Sequence, residues 1–463
     1  MSPEPLVLTT SQRQASRRGR WKLRHYGHFS SWPVKKVELV AQNEAPTVVS
    51  PGLCAWRYQL AIACRRWWTG RVLNGYRVVE LAIWVAGPAI GGIMSDWGAD
   101  VIKVEAPAGD PMRAMYRAVG VEQDRVPAYE LDNRGKRCVV LDLGTEEGRA
   151  HMDRLLATAD VFVTNLRIPA LTKMGLHHEA LTARFPKLIY AAVTGYGLSG
   201  PDRDRPGYDA GAFWARSSLA QNHAVDGEMP PVLKSGVGDH VTAIAGVAGV
   251  CAALLNREKT GEGRVVDISL LRTGIYINGW DIGTRQYFGR MQRTRPRTKS
   301  PSPLINCYPT GGGPLDEQGN LTDGRGVWLL GLEQDRHWPP LLRALGNPPE
   351  LDDPLFANAV LRGKNAEAVI TELDRIFRSY TFDELTAAFD SHDVWWAPIN
   401  SIVDVLSDPQ AIASGAFVDM PVGPDEAPFQ LVSNPVSFSG WNPPMRAANK
   451  LGADTTEVLD SLT

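Results

Sequence analysis

The chain has 463 residues, 44% of them hydrophobic and 22% charged, with a formal net charge of −2. That length predicts two domains and a sizeable core, and so balanced a charge excludes a global attraction to nucleic acid or acidic membranes. Five cysteines without close metal-type spacing suggest neither a disulfide framework nor a metal site, and fit a reducing, cytoplasmic setting.

Residues 1–73 read as a basic extension, since the first seventy positions hold eleven Lys/Arg against three Asp/Glu. The Arg/Ser-rich, acid-poor start has the composition of an organelle transit peptide, but a dispensable arm or a translated upstream region is the favoured reading. The segment LCAWRYQLAIACRRWW predicts a short helix, too brief and too charged to span a bilayer, and no other run reads as transmembrane.

From Tyr76 the texture changes to alternating strand and helix patterns. YRVVELAIWV predicts a buried strand, Gly87–Trp97 a helix and GADVIKVEAP a second strand. KRCVVLDL, DVFVTNL and KLIYAAVTGYG follow as strands, separated by the helical patterns TEEGRAHMDRLLATA and HHEALTARFP. This is α/β architecture with a Rossmann-like, mostly parallel sheet, whose ligands lie beyond the strand carboxyl ends. Val85–Ala86, Glu105–Pro107, Asn165–Arg167 and Thr194–Tyr196 therefore fall on one rim. Gly195, Gly197 and Gly200 satisfy the dinucleotide spacing, but they run into the turn chemistry of PDRDRPGYD instead of opening a helix, which argues against nicotinamide binding.

Pro230–Leu255 then joins a Gly-x-Gly-Asp turn to a long apolar segment, placing Asp239 at the start of a buried helix. Two roles fit that position: an N-cap, or an approachable carboxylate kept ionised by the helix terminus. VVDISLLRTGIYI reads as a further apolar segment. Residues 285–325 read as loop, with Gly311–Gly313 in a mobile insertion, and NAEAVITELDRIFRSY and TFDELTAAFDSH as helices. The predicted boundaries are 1–73 for the extension, 74–285 for a large α/β domain, 286–394 for a linker and smaller α+β domain, and 395–463 for a tail returning to the large domain.

VVELAIWVAGPAIGGIMSDWGADVIKVEAP, LDNRGKRCVVLDL, DVFVTNLRIPALTKMGL, TGYGLSGPDRDRPGYD and GVGDHVTAIAGVAGVCAALLNREKTGEGR, in that order, resemble the family III CoA-transferases, the CaiB–BaiF group. The resemblance runs from about Leu73 to the C-terminus. It implies an acyl-CoA:carboxylate CoA-transferase, an interlocked homodimer, and no tightly bound cofactor or metal, with a CoA thioester donor and a carboxylic acid acceptor as substrates. It places Asp239 as the nucleophile that forms an aspartyl anhydride and then an aspartyl-CoA thioester. The implied CoA contacts are Val85, Ala86 and Ala106 at the adenine end, then Leu131, Asp132, Asn133, Arg134, Asn165, Leu166, Arg167 and Lys173. Pro206, Gly207, Tyr208 and Asp209 would flank the thioester arm.

Two departures bear on these contacts: Ala106 stands where some members have arginine, and Leu166-Arg167-Ile168-Pro169 replaces Phe-Arg-Pro-Gly. The bland reading of Arg134, Lys136 and Arg137 is a solvated charge run. A related subgroup racemises 2-methylacyl-CoA thioesters with a histidine in Gly-His-Asp. This chain has Gly207-Tyr208-Asp209, and tyrosine is a poorer acid/base group at neutral pH, which favours transfer. His240 is expected to point into helix packing. Racemisation and non-catalytic acyl-CoA binding stand as the alternatives.

Overall fold

The computed structural model describes residues 72–120, 125–291, 293–311, 325–421 and 429–462, together with the backbone of two short antiparallel strands, Trp21–Lys22 and Val40–Ala41. The helix expected at 53–68 and most of the glycine insertion lie outside the described residues. Residues 71–463 form one compact unit.

A doubly wound sheet organises the first half of that unit. Its strands are β1 (Arg77–Leu81), β2 (Asp100–Glu105), β3 (Arg137–Val140), β4 (Val161–Thr164), β5 (Ile189–Thr194) and β6 (Val265–Ser269). They run parallel in the order β3-β2-β1-β4-β5-β6. Side chains alternate between the two faces of a strand, and here both faces are apolar, so the strands read as near-continuous hydrophobic runs. Val78, Val101, Val161 and Ile189 join one core layer; Val79, Ile102, Val139 and Phe162 join the other.

The helices covering these layers include α1 (Ala86–Asp96), α2 (Glu146–Ala157), α3 (Ile168–Met174), α4 (His178–Arg184) and α5 (Val237–Thr260). The first layer takes α1, through Ala89, Ile90 and Met94, and α5, through Ala243, Val247 and Val250. These two pack closely because Gly246 offers no Cβ: one added there would sit 2.5 Å from Ile90 Cδ1. The second layer takes α2, α3 and α4, through Met152, Leu155, Leu171 and Leu181. By length and composition α5 is apolar enough to cross a membrane, contrary to the expectation that no such run exists. Its buried side instead completes the core over the sheet.

The segment VVDISLLRTGIYI divides. Val265–Ser269 is β6 and Leu270–Ile277 is α6, with the Ser269 hydroxyl accepting from Arg272 N at 3.1 Å as the N-cap. The described residues within 285–325 also hold more order than expected. Helix α7 (Gly279–Phe288) enters the region, and Cys307–Pro309 forms β7, paired antiparallel with β8 (Gly326–Leu329). Gly311 pairs with the 380–381 segment through its N–H to Tyr380 O at 2.7 Å.

Strand β9 (Trp396–Ile399) completes this second, three-stranded sheet. It has a core of its own, in which Tyr308, Val327 and Leu329 meet Leu373, Phe377 and Phe389. At the C-terminal end, Asp454 accepts from Cys138 N at 2.6 Å and Val458 is buried in the second layer of the large sheet.

Candidate active site

The strand order reverses between β1 and β4, and the connections leaving these two strands diverge there. Asn165, just past β4, ties them together: its Oδ1 accepts from Ile83 N at 2.9 Å and its Nδ2 donates to Ile83 O at 2.6 Å. Gly87 permits this approach, since an added Cβ would lie 2.6 Å from Ala82 Cβ and 3.2 Å from Asn165 Cγ. A cavity of about 500 Å³ opens beyond the carboxyl ends of the strands at this point.

Asp239 lines that cavity from the third residue of α5. The structure corrects its reading as an N-cap. Gly236 holds that place with φ 79°, a left-handed conformation that glycine adopts without strain. Gly238 is pressed between the Phe213 ring and Asp209, which an added Cβ would meet at 2.7 and 2.8 Å. Asp209 therefore stands beside the turn that carries Asp239.

The electrostatics also differ from expectation. Burial, then the Asp209 carboxylate, raises the Asp239 carboxyl to about 7; His240 opposes this and Asp132 adds to it more weakly. The helix terminus therefore does not leave Asp239 fully ionised at neutral pH. His240 does not turn into helix packing either. Its Nε2 lies 3.0 Å from Asp132 Oδ1, and although burial works against the imidazolium, Asp132 and Asp239 together leave its pKa raised.

Of the residues marked out by the sequence, Val85, Ala86, Asn165, Leu166, Arg167, Pro206, Gly207 and Tyr208 line the cavity with Asp239. Asp132 and Asp209 act on Asp239 from outside the lining. Ala106, Leu131, Asn133, Arg134 and Lys173 do not line it. For Arg134 the reason is an ion pair: its Nη2 lies 2.6 Å from Asp96 Oδ2 and its side chain is buried. Lys136 is likewise buried against Glu80, and Arg137 pairs with Asp100, so this run is not the solvated stretch it resembles. Burial lowers the Lys136 pKa to about 8 despite Glu80.

Sequence reasoning missed Arg203 and Arg205, which line the cavity from the PDRDRPGYD turn. Their charge was legible, but the turn's direction was not. Arg167 makes no ion pair among the described residues, which leaves its guanidinium available to an anion. The glycines at 195, 197 and 200 lie in the irregular segment after β5, with no helix opening on them. Among the described residues, no cluster of His, Cys, Asp and Glu is gathered to hold a metal ion.

The chemistry available is that of an approachable carboxyl in an apolar cleft with three arginines around it. A family model described as CoA-transferase family III matches residues 73–455. The (R)-2-hydroxy-4-methylpentanoate CoA-transferase of Clostridioides difficile is 32% identical over 394 residues, covering 84% of this chain and 95% of its own. The cinnamoyl-CoA:phenyllactate CoA-transferase of Clostridium sporogenes is also 32% identical, covering 84% and 93%. Among solved structures, a CAIB/BAIF family protein from Brucella suis superposes with a TM-score of 0.73 at 29% identity, covering 84% of this chain and 99% of that one.

Proposed function

Because the chain belongs to CoA-transferase family III, we propose that it moves CoA from an acyl-CoA donor to a carboxylic acid through covalent chemistry on Asp239. The supporting observation is that Asp239 and three arginines share one cleft beyond the strand carboxyl ends. Ionised Asp239 attacks the donor thioester carbonyl, forming a mixed anhydride and releasing CoA thiolate. The thiolate attacks the aspartyl carbonyl, giving an aspartyl-CoA thioester and the free donor acid. The acceptor carboxylate then attacks that thioester, and the thiolate released attacks the acceptor's carbonyl, restoring Asp239. Each step exchanges one acyl bond for another, so no oxidant or external base is consumed.

Arg167, Arg203 and Arg205 suit the phosphates of CoA or the acceptor carboxylate. We take the working form to be a homodimer. Tyr276, Trp280, Tyr287 and Phe288 on α6 and α7 are 84, 86, 84 and 68% exposed, an apolar surface suited to burial against a second copy. The relatives named above carry the names of different acids, so family membership leaves the substrate pair open.

Incubation with an acyl-CoA and hydroxylamine should place a hydroxamate on Asp239, detected by peptide mass spectrometry. Full transfer activity in an Asp239→Ala variant would sink the nucleophile.

A further inference from the structure

Trp84 has φ 65°. Bulky side chains rarely occupy this left-handed region, and such strain collects at functional sites where the surroundings enforce it. Here the enforcing groups are buried charges. Trp84 N donates to Asp110 Oδ1 at 3.1 Å, and Asp110 Oδ2 lies 2.9 Å from Lys103 Nζ. Lys103 also donates to Ala82 O at 3.0 Å and pairs with Glu80 Oε1 at 3.1 Å. Glu80 in turn accepts from Lys136, whose ammonium donates to Pro88 O at 2.8 Å. The turn from β1 to α1 is thus pinned at Ala82, Trp84 and Pro88 by ions that are almost wholly buried.

A network of this kind adds little net stability compared with apolar packing, so its value lies in the geometry it fixes. That geometry presents Trp84 to the cavity at 85° to the ring of Tyr208, with centroids 6.4 Å apart. Tyr208 is 66% exposed. Two aromatic walls at a right angle offer a planar group both a face and an edge, the two arrangements that aromatic pairs prefer. Ile83, Val193 and Leu270 extend the apolar lining. Tyr208 directly precedes Asp209, the residue packed against the turn carrying Asp239, and Trp84, Tyr208 and Asp239 line the same cavity.

We infer that Trp84 and Tyr208 select for aryl or arylalkyl acyl groups, and that Asp110 is the positioning residue that holds Trp84 in place. The inference rests on the cavity's taking an acyl-CoA, as proposed above. The other planar group a CoA thioester carries is its adenine, and the two sources separate experimentally, because adenine is common to every donor.

The test compares kcat/KM for 3-phenylpropionyl-CoA and butyryl-CoA with one acceptor acid. The native enzyme should favour the aryl donor, and Trp84→Val and Tyr208→Ala should each lower that ratio by roughly two- to tenfold. Asp110→Val should lower it in the same direction, whereas Asp110→Asn, which keeps the acceptor for Trp84 N, should retain most of it. Trp84→Val and Tyr208→Ala decide the matter should Asp110→Val fail to fold. An unchanged ratio, or equal losses for both donors as expected of an adenine site, overturns the proposal. Calorimetric binding of the two thioesters separates this from the transfer reading. Aryl-selective binding without transfer removes the transferase mechanism and leaves the selector; transfer without aryl preference does the reverse.

Discussion

His240 Nε2 stands 3.0 Å from Asp132 Oδ1, joining the first turn of α5 to a residue 108 positions earlier in the chain. The contact holds an imidazole, whose pKa Asp132 and Asp239 raise against burial, next to the candidate nucleophile. Asp239 is faced by Asp209 and Asp132, which favour its neutral form, and by His240, which favours its ionised form.

Activity should therefore rise with pH as Asp239 ionises through about 7. His240→Gln removes the ring whose charge lowers the Asp239 pKa and should move this acid limb to higher pH. The measurement is the pH dependence of hydroxylamine-trapped adduct formation in single turnover. A limb that does not move would show that His240 does not act on Asp239.

The same carboxyl opposes folding above acid pH. Its ordinary value of 3.8 is raised to about 7 by folding, so the folded state binds more protons between those values. The associated stability is complete below about pH 4 and is lost as pH rises through about 7. Asp239→Asn is free of that loss. Its melting temperature should match the native protein near pH 4, exceed it increasingly up to pH 7, and hold a constant margin above. The shift bounds the gain at roughly 4 kcal/mol, and partial solvent access reduces the expected gain to about 1–2 kcal/mol.

Gly238→Ala should impair chemistry more than folding. The new methyl group would press on the Phe213 ring and on Asp209 and displace the start of α5. Overpacking of this sort costs about 1–3 kcal/mol, while a shift approaching 1 Å at the nucleophile lowers kcat by about a hundredfold. Denaturant titration and steady-state kinetics on one preparation read both effects.

Lys103→Met leaves Glu80 and Asp110 without their shared buried partner. Burial works against the Lys103 ammonium, but these two carboxylates outweigh it and leave its pKa raised. Glu80 keeps Lys136 but Asp110 loses its ion-pair partner, which should destabilise the protein by about 3–5 kcal/mol in urea titration. A loss below about 1 kcal/mol would mean that the network is not the support described.

Much of the sheet was legible, because Val161–Val163 and Ile189–Val193 are short apolar runs bounded by turns, as strands covered on both faces must be, and Val78–Leu81 and Ile102–Val104 are each interrupted by one charged residue only, Glu80 and Lys103. Period alone did not divide VVDISLLRTGIYI, in which the Ser269 cap marks the change from strand to helix. The rim was legible too, since strand order places Val85 and Asn165 together. The facing of the PDRDRPGYD arginines was not, because a turn's direction depends on what it packs against.

Residue order carries the alternation of strand and helix, the rim beyond the strands, and a carboxylate just inside a glycine-bounded helix start, because these follow from local periodicity and backbone preference. Charge states and side-chain facings were set only on folding. Folding buried Arg134 against Asp96, turned His240 onto Asp132, set Asp209 beside Asp239 and held Trp84 at positive φ. Each outcome depends on desolvation and on partners distant in sequence, which residue spacing does not encode.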